Sequence, residues 1–294
     1  MRILSRLLNN CRKPDRQIGM ELGISGGAVG SRISKMEKLG IIEKFCLKVQ
    51  PPLLGLNMFY IVVNSQNQKE IIKNVKLAGM PFTIVPCVGG NTVIGVIVKE
   101  DMEQKIELLQ KLMQDVRVMS VFKSDNTKIT HNLTRTDLEI LKQLIENPRK
   151  RIEQLSKETE LSTKTINRGL EKLENNESIQ FTLVFDPSKI EGFLCYAVVA
   201  VTQEDISKML KRFEKEFSED YLMIPFLAKN QIVLFLYSDS IFKMDEMTEK
   251  IAKVEGTITT ELFIPKKIDM PKKWLEKRLE ALTKSQTLHI SQAN

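Results

Sequence analysis

Moved along by 137 residues, this chain falls on itself. Ile3, Leu4, Leu7 and Leu8 land on Ile140, Leu141, Leu144 and Ile145. Arg12-Lys13 lands on Arg149-Lys150, Ile18 on Leu155, and Ile24-Ser25 on Leu161-Ser162. Val29, Ile33 and Met36 land on Ile166, Leu170 and Leu173. Ile42 and Gly55 land on Ile179 and Gly192, with a small slip in between. A period this long marks a duplicated pair of domains; a solenoid would repeat every 20–50 residues or so. Whatever the fold is, it must be built twice. The first copy has no counterpart of Leu133-Thr134-Arg135-Thr136, so its first helix is expected to lack a cap and to fray.

The second copy opens with the clearer pattern, from Leu133 to Ile179. Leu138, Leu141, Leu144 and Ile145 lie on one face of a first helix. Thr136 is its expected cap, with Glu139 three residues on. Ile152 and Leu155, with Thr159 one turn on, form a second helix. Ser162 opens a third, which buries Ile166, Leu170 and Leu173. Only Glu160-Leu161 separates the last two helices. Two short amphipathic helices joined this tightly make a helix-turn-helix, whose second helix enters the DNA major groove. A strand, FTLVF, follows as a wing and ends at Asp186-Pro187.

After each helical stretch the period changes from helical to alternating. In copy one, MFYIVV reads as a strand, Gln68–Ala78 as a helix, Phe82–Val88 as a strand and Gly89-Gly90-Asn91 as a turn. Thr92–Val98 (strand), Asp101–Gln114 (helix) and Val116–Phe122 (strand) complete it. Copy two repeats the order with Leu194–Val201, Asp205–Phe217, Tyr221–Leu227, the turn Ala228-Lys229-Asn230, Gln231–Tyr237, Lys243–Val254 and Thr257–Ile264. That is βαββαβ twice, the ferredoxin-like arrangement.

Charge separates the copies. The chain carries +7, but residues 1–50 alone carry +6. Residues 51–130 carry +2, residues 131–186 carry −1, and the rest are neutral. A basic excess of this kind fits a nucleic-acid partner. Cys11, Cys46, Cys87 and Cys195 are far apart without a CxxC, and the histidines are His131 and His289. No disulfide framework, metal site or cofactor is expected, and the reducing cytoplasm is the expected compartment. No apolar run is long enough for a membrane span. The Arg-rich, acid-free start MRILSRLLNNCRKP is also the composition of a transit peptide, but the duplication accounts for it.

The LSTKTINRGLEKLE stretch, the wing ends Pro51…Gly55 and Pro187…Gly192 and the two βαββαβ patterns together resemble the Lrp/AsnC family of transcription regulators, in a tandem form. The resemblance runs over nearly the whole chain. It implies an α+β fold: winged helix-turn-helix at 1–55 and 133–192 and ferredoxin-like (RAM-type) modules at 56–124 and 193–265; outside the resemblance, the apolar spacing of Trp274, Leu275, Leu279 and Leu282 predicts a C-terminal helix at 270–283. The resemblance also implies that the sheet modules assemble the protein and bind a small effector such as an amino acid, at the turn holding Gly89 and Gly90. Here this sequence departs from the family's pattern. VGGNTVIG carries no acid and LAKNQIVL no glycine, although an ammonium group would want a carboxylate partner. Siroheme decarboxylases resemble these regulators and share the plan. A tetrapyrrole site would call for clustered His, Arg and Tyr, whereas these modules hold no histidine and only Arg117 and Arg212. No arrangement of acid–base or nucleophilic residues stands out, so an enzyme is not expected.

On DNA, Thr163, Lys164, Asn167 and Arg168 are expected to face the bases, since Asn pairs bidentately with adenine and Lys or Arg with guanine. Ser162 and the helix N-terminus would hold a phosphate. The copy-one counterparts are Gly26, Gly27, Gly30 and Ser31, an almost bare face, with Arg12, Lys13, Arg16, Arg32, Lys35 and Lys38 around it. Copy one is therefore expected to hold phosphates, through Arg12, Lys13, Arg32 and Lys35, while copy two reads sequence. The expected assembly is an intramolecular pseudo-dimer that pairs again through whole chains. The link Lys123–Asn132 would pass between modules, Pro271–Leu282 would form an extra amphipathic helix, and Thr283–Asn294 would be disordered.

Overall fold

The computed structural model describes residues 2–65, 67–99, 101–114, 116–123, 133–228 and 230–291. Most of the link, residues 124–132, and Lys229 of the second hairpin turn lie outside these. The chain divides into two compact units, each drawn from both copies. The first gathers Met1–Gly55, Ile129–Phe185 and Pro271–Asn294; the second gathers Leu56–Lys128 and Asp186–Met270.

In the first unit, copy one supplies α1 (Arg2–Asn9), α2 (Asp15–Leu22), α3 (Gly26–Lys38) and strand β1 (Ile42–Val49). The sheet modules follow in the chain: β2 (Asn57–Asn64), α4 (Gln68–Ala78), β3 (Met80–Pro86), β4 (Asn91–Val98), α5 (Met102–Leu112) and β5 (Arg117–Lys123). Copy two supplies α6 (Arg135–Leu144), α7 (Ile152–Thr159), α8 (Thr163–Glu174) and β6 (Ile179–Phe185), then β7 (Leu194–Thr202), α9 (Ile206–Phe217), β8 (Tyr221–Ala228), β9 (Gln231–Ser238), α10 (Ile241–Ala252) and β10 (Thr257–Phe263). Helix α11 (Lys273–Ser291) ends the described chain.

Both helical trios bury the residues that the 3.6-residue spacing selects: Leu4, Leu7, Leu8, Ile18, Val29 and Ile33 in one, and Leu138, Leu141, Leu155, Ile166, Leu170 and Leu173 in the other. The cap of α6 is Thr134, not Thr136. The Thr134 hydroxyl accepts from Asp137 N (3.2 Å), and the Asp137 carboxylate accepts from Thr134 N (2.8 Å). This reciprocal pair satisfies two backbone donors at once and starts the helix at Arg135, which leaves Thr136 inside its first turn. Helix α1 forms from Arg2 on, with Ile3, Leu4, Leu7 and Leu8 buried. Copy two holds its far end: the Leu8 carbonyl accepts from Thr182 Oγ1 (2.7 Å) and Gln180 Nε2 (3.2 Å).

Each wing is a single strand, and the two pair with each other. β1 runs antiparallel to β6, with Cys46 opposite Thr182 and Val49 opposite Ile179. The copies thus share one two-stranded ribbon. Helix α11 belongs to this unit as well, burying Trp274, Leu275 and Leu279. Its Arg278 Nε donates to the Leu54 carbonyl at 2.8 Å. The helix continues to Ser291, beyond the Leu282 end expected from the pattern. Thr283 is buried, and its hydroxyl closes onto the Leu279 carbonyl (2.9 Å), so the packed face does not stop there.

In the second unit the two sheets have the same order, β3-β4-β2-β5 and β8-β9-β7-β10. Alternation sends Phe59, Ile61 and Val63 toward α4 and α5, where Ile71, Val75, Ile106 and Leu109 meet them. Tyr196, Val198 and Ala200 meet Met209, Phe213 and Ile251 in the same way. The opposite faces pack together through Val62, Phe122, Val199, Ala228 and Phe263, and the Tyr60 ring stands edge-on to Phe226 at 4.8 Å. Past β10 the chain covers the open edge of β3: Lys266 N donates to Pro86 O (2.8 Å), and Ile84 and Asp269 exchange bonds of 2.9 Å. Element ends differ from the sequence pattern by up to two residues. Helix α10, for example, starts at Ile241 because the Ser240 side chain caps it, accepting from Phe242 N (3.2 Å).

Candidate nucleic-acid interface

The two helix-turn-helix joins differ in chemistry. In copy two, Glu160 turns the chain in the left-handed region (φ 59°), at a cost of about 1 kcal/mol for a residue with a Cβ. Copy one uses Gly23 there (φ 69°). Ser156 Oγ donates to the Leu161 carbonyl at 2.5 Å in copy two. Its copy-one counterpart is Gly19, where an added Cβ would lie 2.5 Å from the Ile24 carbonyl oxygen. The copy-one elbow is closed backbone to backbone.

Helix α8 is capped by Ser162, whose Oγ accepts from Thr165 N at 3.1 Å. Thr163, Lys164, Asn167 and Arg168 are all exposed, on the turns nearest that cap. Asn167 also lines a cleft of ≈ 700 Å³ whose other wall carries Lys13 and Gln17 of copy one.

On α3 the glycines have separate physical settings. A Cβ on Gly26 would lie 3.0 Å from Arg16 Cα, and one on Gly30 would lie 2.9 Å from Asp15 Oδ2, so both positions are tightened by α2. Gly27 has nothing within 4 Å. Gly27→Ala should therefore stabilise the chain by about 0.5–1 kcal/mol, through lower unfolded-state entropy. A thermal melt of the variant checks it; a lower midpoint would show that this backbone position is constrained in some other way.

The basic residues of copy one separate into two groups. Arg16, Arg32, Lys35 and Lys38 are exposed. Lys13 is ion-paired to Glu21, which Arg6 also contacts at 2.9 Å. Arg12 is turned into the protein, its side chain 10% exposed. Its guanidinium donates to Glu174 Oε1 (3.2 Å), Pro148 O (2.5 Å) and Lys150 O (3.1 Å), and lies over the Phe181 ring at 5.7 Å. Burial lowers the Arg12 pKa from its ordinary value, and Glu174 opposes that shift. The expected phosphate role of Arg12 thus gives way to an internal one, because every partner named here belongs to copy two. Its duplicate Arg149 mirrors it, bonded to Asp15 (3.0 Å) and stacked on Phe45 at 4.9 Å. The sequence carries a signal for this pair: Arg12 and Arg149 coincide in the duplication, while Thr163, Lys164, Asn167 and Arg168 fall on Gly26, Gly27, Gly30 and Ser31.

At the turn between β3 and β4, Gly89 and Gly90 have φ of 79° and 87°, which glycine supplies without strain. Asn64 Nδ2 donates to Gly89 O (3.2 Å) and Asn91 Oδ1 (2.6 Å), holding the hairpin. All four thiols are pushed up by burial, Cys11 and Cys195 to about 12 and Cys46 and Cys87 to about 11. A thiol so shifted is a poor nucleophile near neutrality. Among the described residues no His, Cys, Asp and Glu converge as a metal site, and no helix is long and apolar enough to cross a membrane.

The winged helix-turn-helix DNA-binding family profile matches residues 1–43 and again 133–180. The chain is 28% identical over 106 residues to the HTH-type transcriptional regulator Ptr1 of Methanocaldococcus jannaschii, covering 35% of this chain and 72% of that one. It is also 28% identical over 110 residues to the HTH-type transcriptional regulator LrpA of Pyrococcus horikoshii, covering 36% of this chain and 78% of the relative. The siroheme decarboxylase NirDL has the same fold over 99% of this chain and 98% of its own (TM-score 0.50) at 14% identity, a likeness of architecture. With two matched helix-turn-helix segments, two βαββαβ sheets and these relatives, the chain is a DNA-binding transcriptional regulator of the Lrp/AsnC type, in which the helix-turn-helix and the sheet module each occur twice.

Proposed function

We propose that the two helix-turn-helix copies do different work on one DNA duplex: copy two reads sequence and copy one supplies affinity. The observation that carries this reading is the difference between α8 and α3 at matching positions. Thr163, Lys164, Asn167 and Arg168 stand exposed where copy one has Gly26, Gly27, Gly30 and Ser31. Side chains of the first kind reach base edges in the major groove. Around the bare helix, Arg16, Arg32, Lys35 and Lys38 are exposed cations suited to phosphates, and Ser162 at the α8 N-terminus suits one more. Lys13 contributes only if it leaves Glu21.

The pairing of the copies within each unit favours a single chain acting as a family dimer does, in the cytoplasm, with whole chains pairing again. The Gly89-Gly90 turn is the proposed effector position. With no acid in VGGNTVIG, it favours a ligand without an ammonium group. The test is binding of the full chain to a duplex selected from a random pool, and to scrambled DNA, across a salt series. Log–log slopes of at least about −4 on both duplexes, with tighter binding to the selected one, are expected from this many cations. Equal affinity for both duplexes would remove the reading role. A tetrapyrrole-dependent absorbance band without DNA binding would favour the decarboxylase chemistry of the shared architecture.

A further inference from the structure

Arg149 and Asp15 face each other across the two copies at 3.0 Å, with side chains 28% and 35% exposed. The other oxygen of that carboxylate, Asp15 Oδ2, sits where a Cβ on Gly30 would come within 2.9 Å. The counterpart of Gly30 in copy two is Asn167, and the counterpart of Asp15 is Ile152. A side chain that copy two presents is therefore missing from copy one at the place where the cross-copy carboxylate needs room. On the other side of the pseudo-symmetric pair, Arg12 reaches Glu174 at the end of α8 and the carbonyls of Pro148 and Lys150. Each arginine also lies over an aromatic ring of the shared ribbon, Arg149 over Phe45 and Arg12 over Phe181. Planar guanidinium groups that are bonded and stacked at once fix orientation better than a point charge does.

We propose that Asp15–Arg149 and Arg12–Glu174 are positioning residues that fix the separation on DNA between the stretch read by α8 and the stretch held by copy one, and that Gly30 is glycine to admit this lock. The proposal rests on the DNA-binding reading above. It gives the bare face of α3 a cause: copy one gives up a base-reading position to hold copy two in register. Preorganised spacing of two linked sites raises affinity without a new DNA contact.

The experiment is hydroxyl-radical footprinting of the full chain on a duplex selected by the parent protein. The parent should protect two patches at a fixed separation. Asp15→Asn and Arg149→Ala should leave the copy-two patch in place and spread the copy-one patch over neighbouring nucleotides. Gly30→Asn should do the same by displacing Asp15, and the charge reversal Asp15→Arg with Arg149→Asp should sharpen the patch again. Asp15→Asn should leave the salt slope within about 0.3 of the parent, since no phosphate contact is removed. Two sharp patches at the parental separation in Asp15→Asn and Arg149→Ala overturn the lock. So does a slope reduced by about 0.9 in Arg149→Ala with both patches sharp, which marks Arg149 as a plain phosphate contact. If the parent protects no DNA, the regulator reading itself falls and takes the lock with it. The Asp15 and Arg149 variants alter a partly exposed pair, so folding is retained even where Arg12→Ala, in a nearly buried site, disrupts it.

Discussion

Phe59→Ala should lower the stability of the sheet unit by about 3–5 kcal/mol, the largest single-residue loss we expect in this chain. Phe59 is fully buried on β2, in the cluster formed with Ile61, Val63, Ile71, Val75, Ile106 and Leu109. Truncating it removes the ring's transfer free energy and leaves a hole that paired strands on both sides of β2 cannot close. A domain stable by roughly 5–15 kcal/mol feels a loss of that size as a large fraction of the total. Trp274 is the single tryptophan and is buried in the helix-turn-helix unit, so its fluorescence follows that unit alone. In urea, the far-UV CD transition belonging to the sheets should move down by about 2 M, taking a typical dependence of 1–3 kcal/mol per molar. The Trp274 transition should stay where it is. A CD midpoint unmoved by the substitution would mean that Phe59 does not stand at the centre of that core.

The parts of this fold that the sequence displays are those set by local periodicity. Ile166, Leu170 and Leu173 recur at helical spacing because one face of α8 is buried. Phe59 and Tyr60 can be sent to opposite faces of β2 because side chains alternate along a strand. The duplication then turns each local pattern into a test of the other copy. What escaped is long-range. Nothing within Ile42–Val49 says that its partner strand is Ile179–Phe185 rather than a neighbour in its own wing, since the pairing joins residues more than a hundred positions apart. The same holds for Arg12. An arginine beside a lysine near a recognition helix looks like a phosphate contact until Glu174 and the Pro148 and Lys150 carbonyls are brought to it. Gly30 failed in the opposite sense. A missing side chain reads as a missing function, while in space a Cβ there would lie 2.9 Å from Asp15 Oδ2. The cap of α6 is ambiguous in the sequence, because Thr134 and Thr136 each have an acid three residues on, Asp137 and Glu139, and only the folded helix start at Arg135 selects Thr134.

Asn167→Ala and Lys164→Ala should each cost about 1–3 kcal/mol, or roughly 5- to 150-fold, on the selected duplex and little on scrambled DNA. Both side chains are exposed on the first turns of α8, where a recognition helix meets base edges. Losing a bidentate pair discriminates among sequences, because only the correct base offered that pair. Arg32→Ala and Lys35→Ala should behave otherwise. Both residues are exposed on α3, a helix with three glycines and no large polar side chain before Arg32. The counterpart of Arg32 in copy two is Gly169, which is buried, so Arg32 adds a cation that the reading copy does not possess. A phosphate contact is the same on every sequence. Removing one should therefore weaken selected and scrambled DNA alike and reduce the salt slope by about 0.9 on each. The four variants separate cleanly in one salt titration on two duplexes. If Lys35→Ala shifts sequence preference and Asn167→Ala does not, the roles of the copies are reversed. If none of the four alters binding, DNA lies against some other surface. The net charges already lean toward the proposed division: the copy that reads carries −1 over residues 131–186, and the copy that holds carries +6 over residues 1–50. A reading helix on a slightly acidic domain binds weakly by itself, and long-range attraction from the basic copy is what would bring it to DNA.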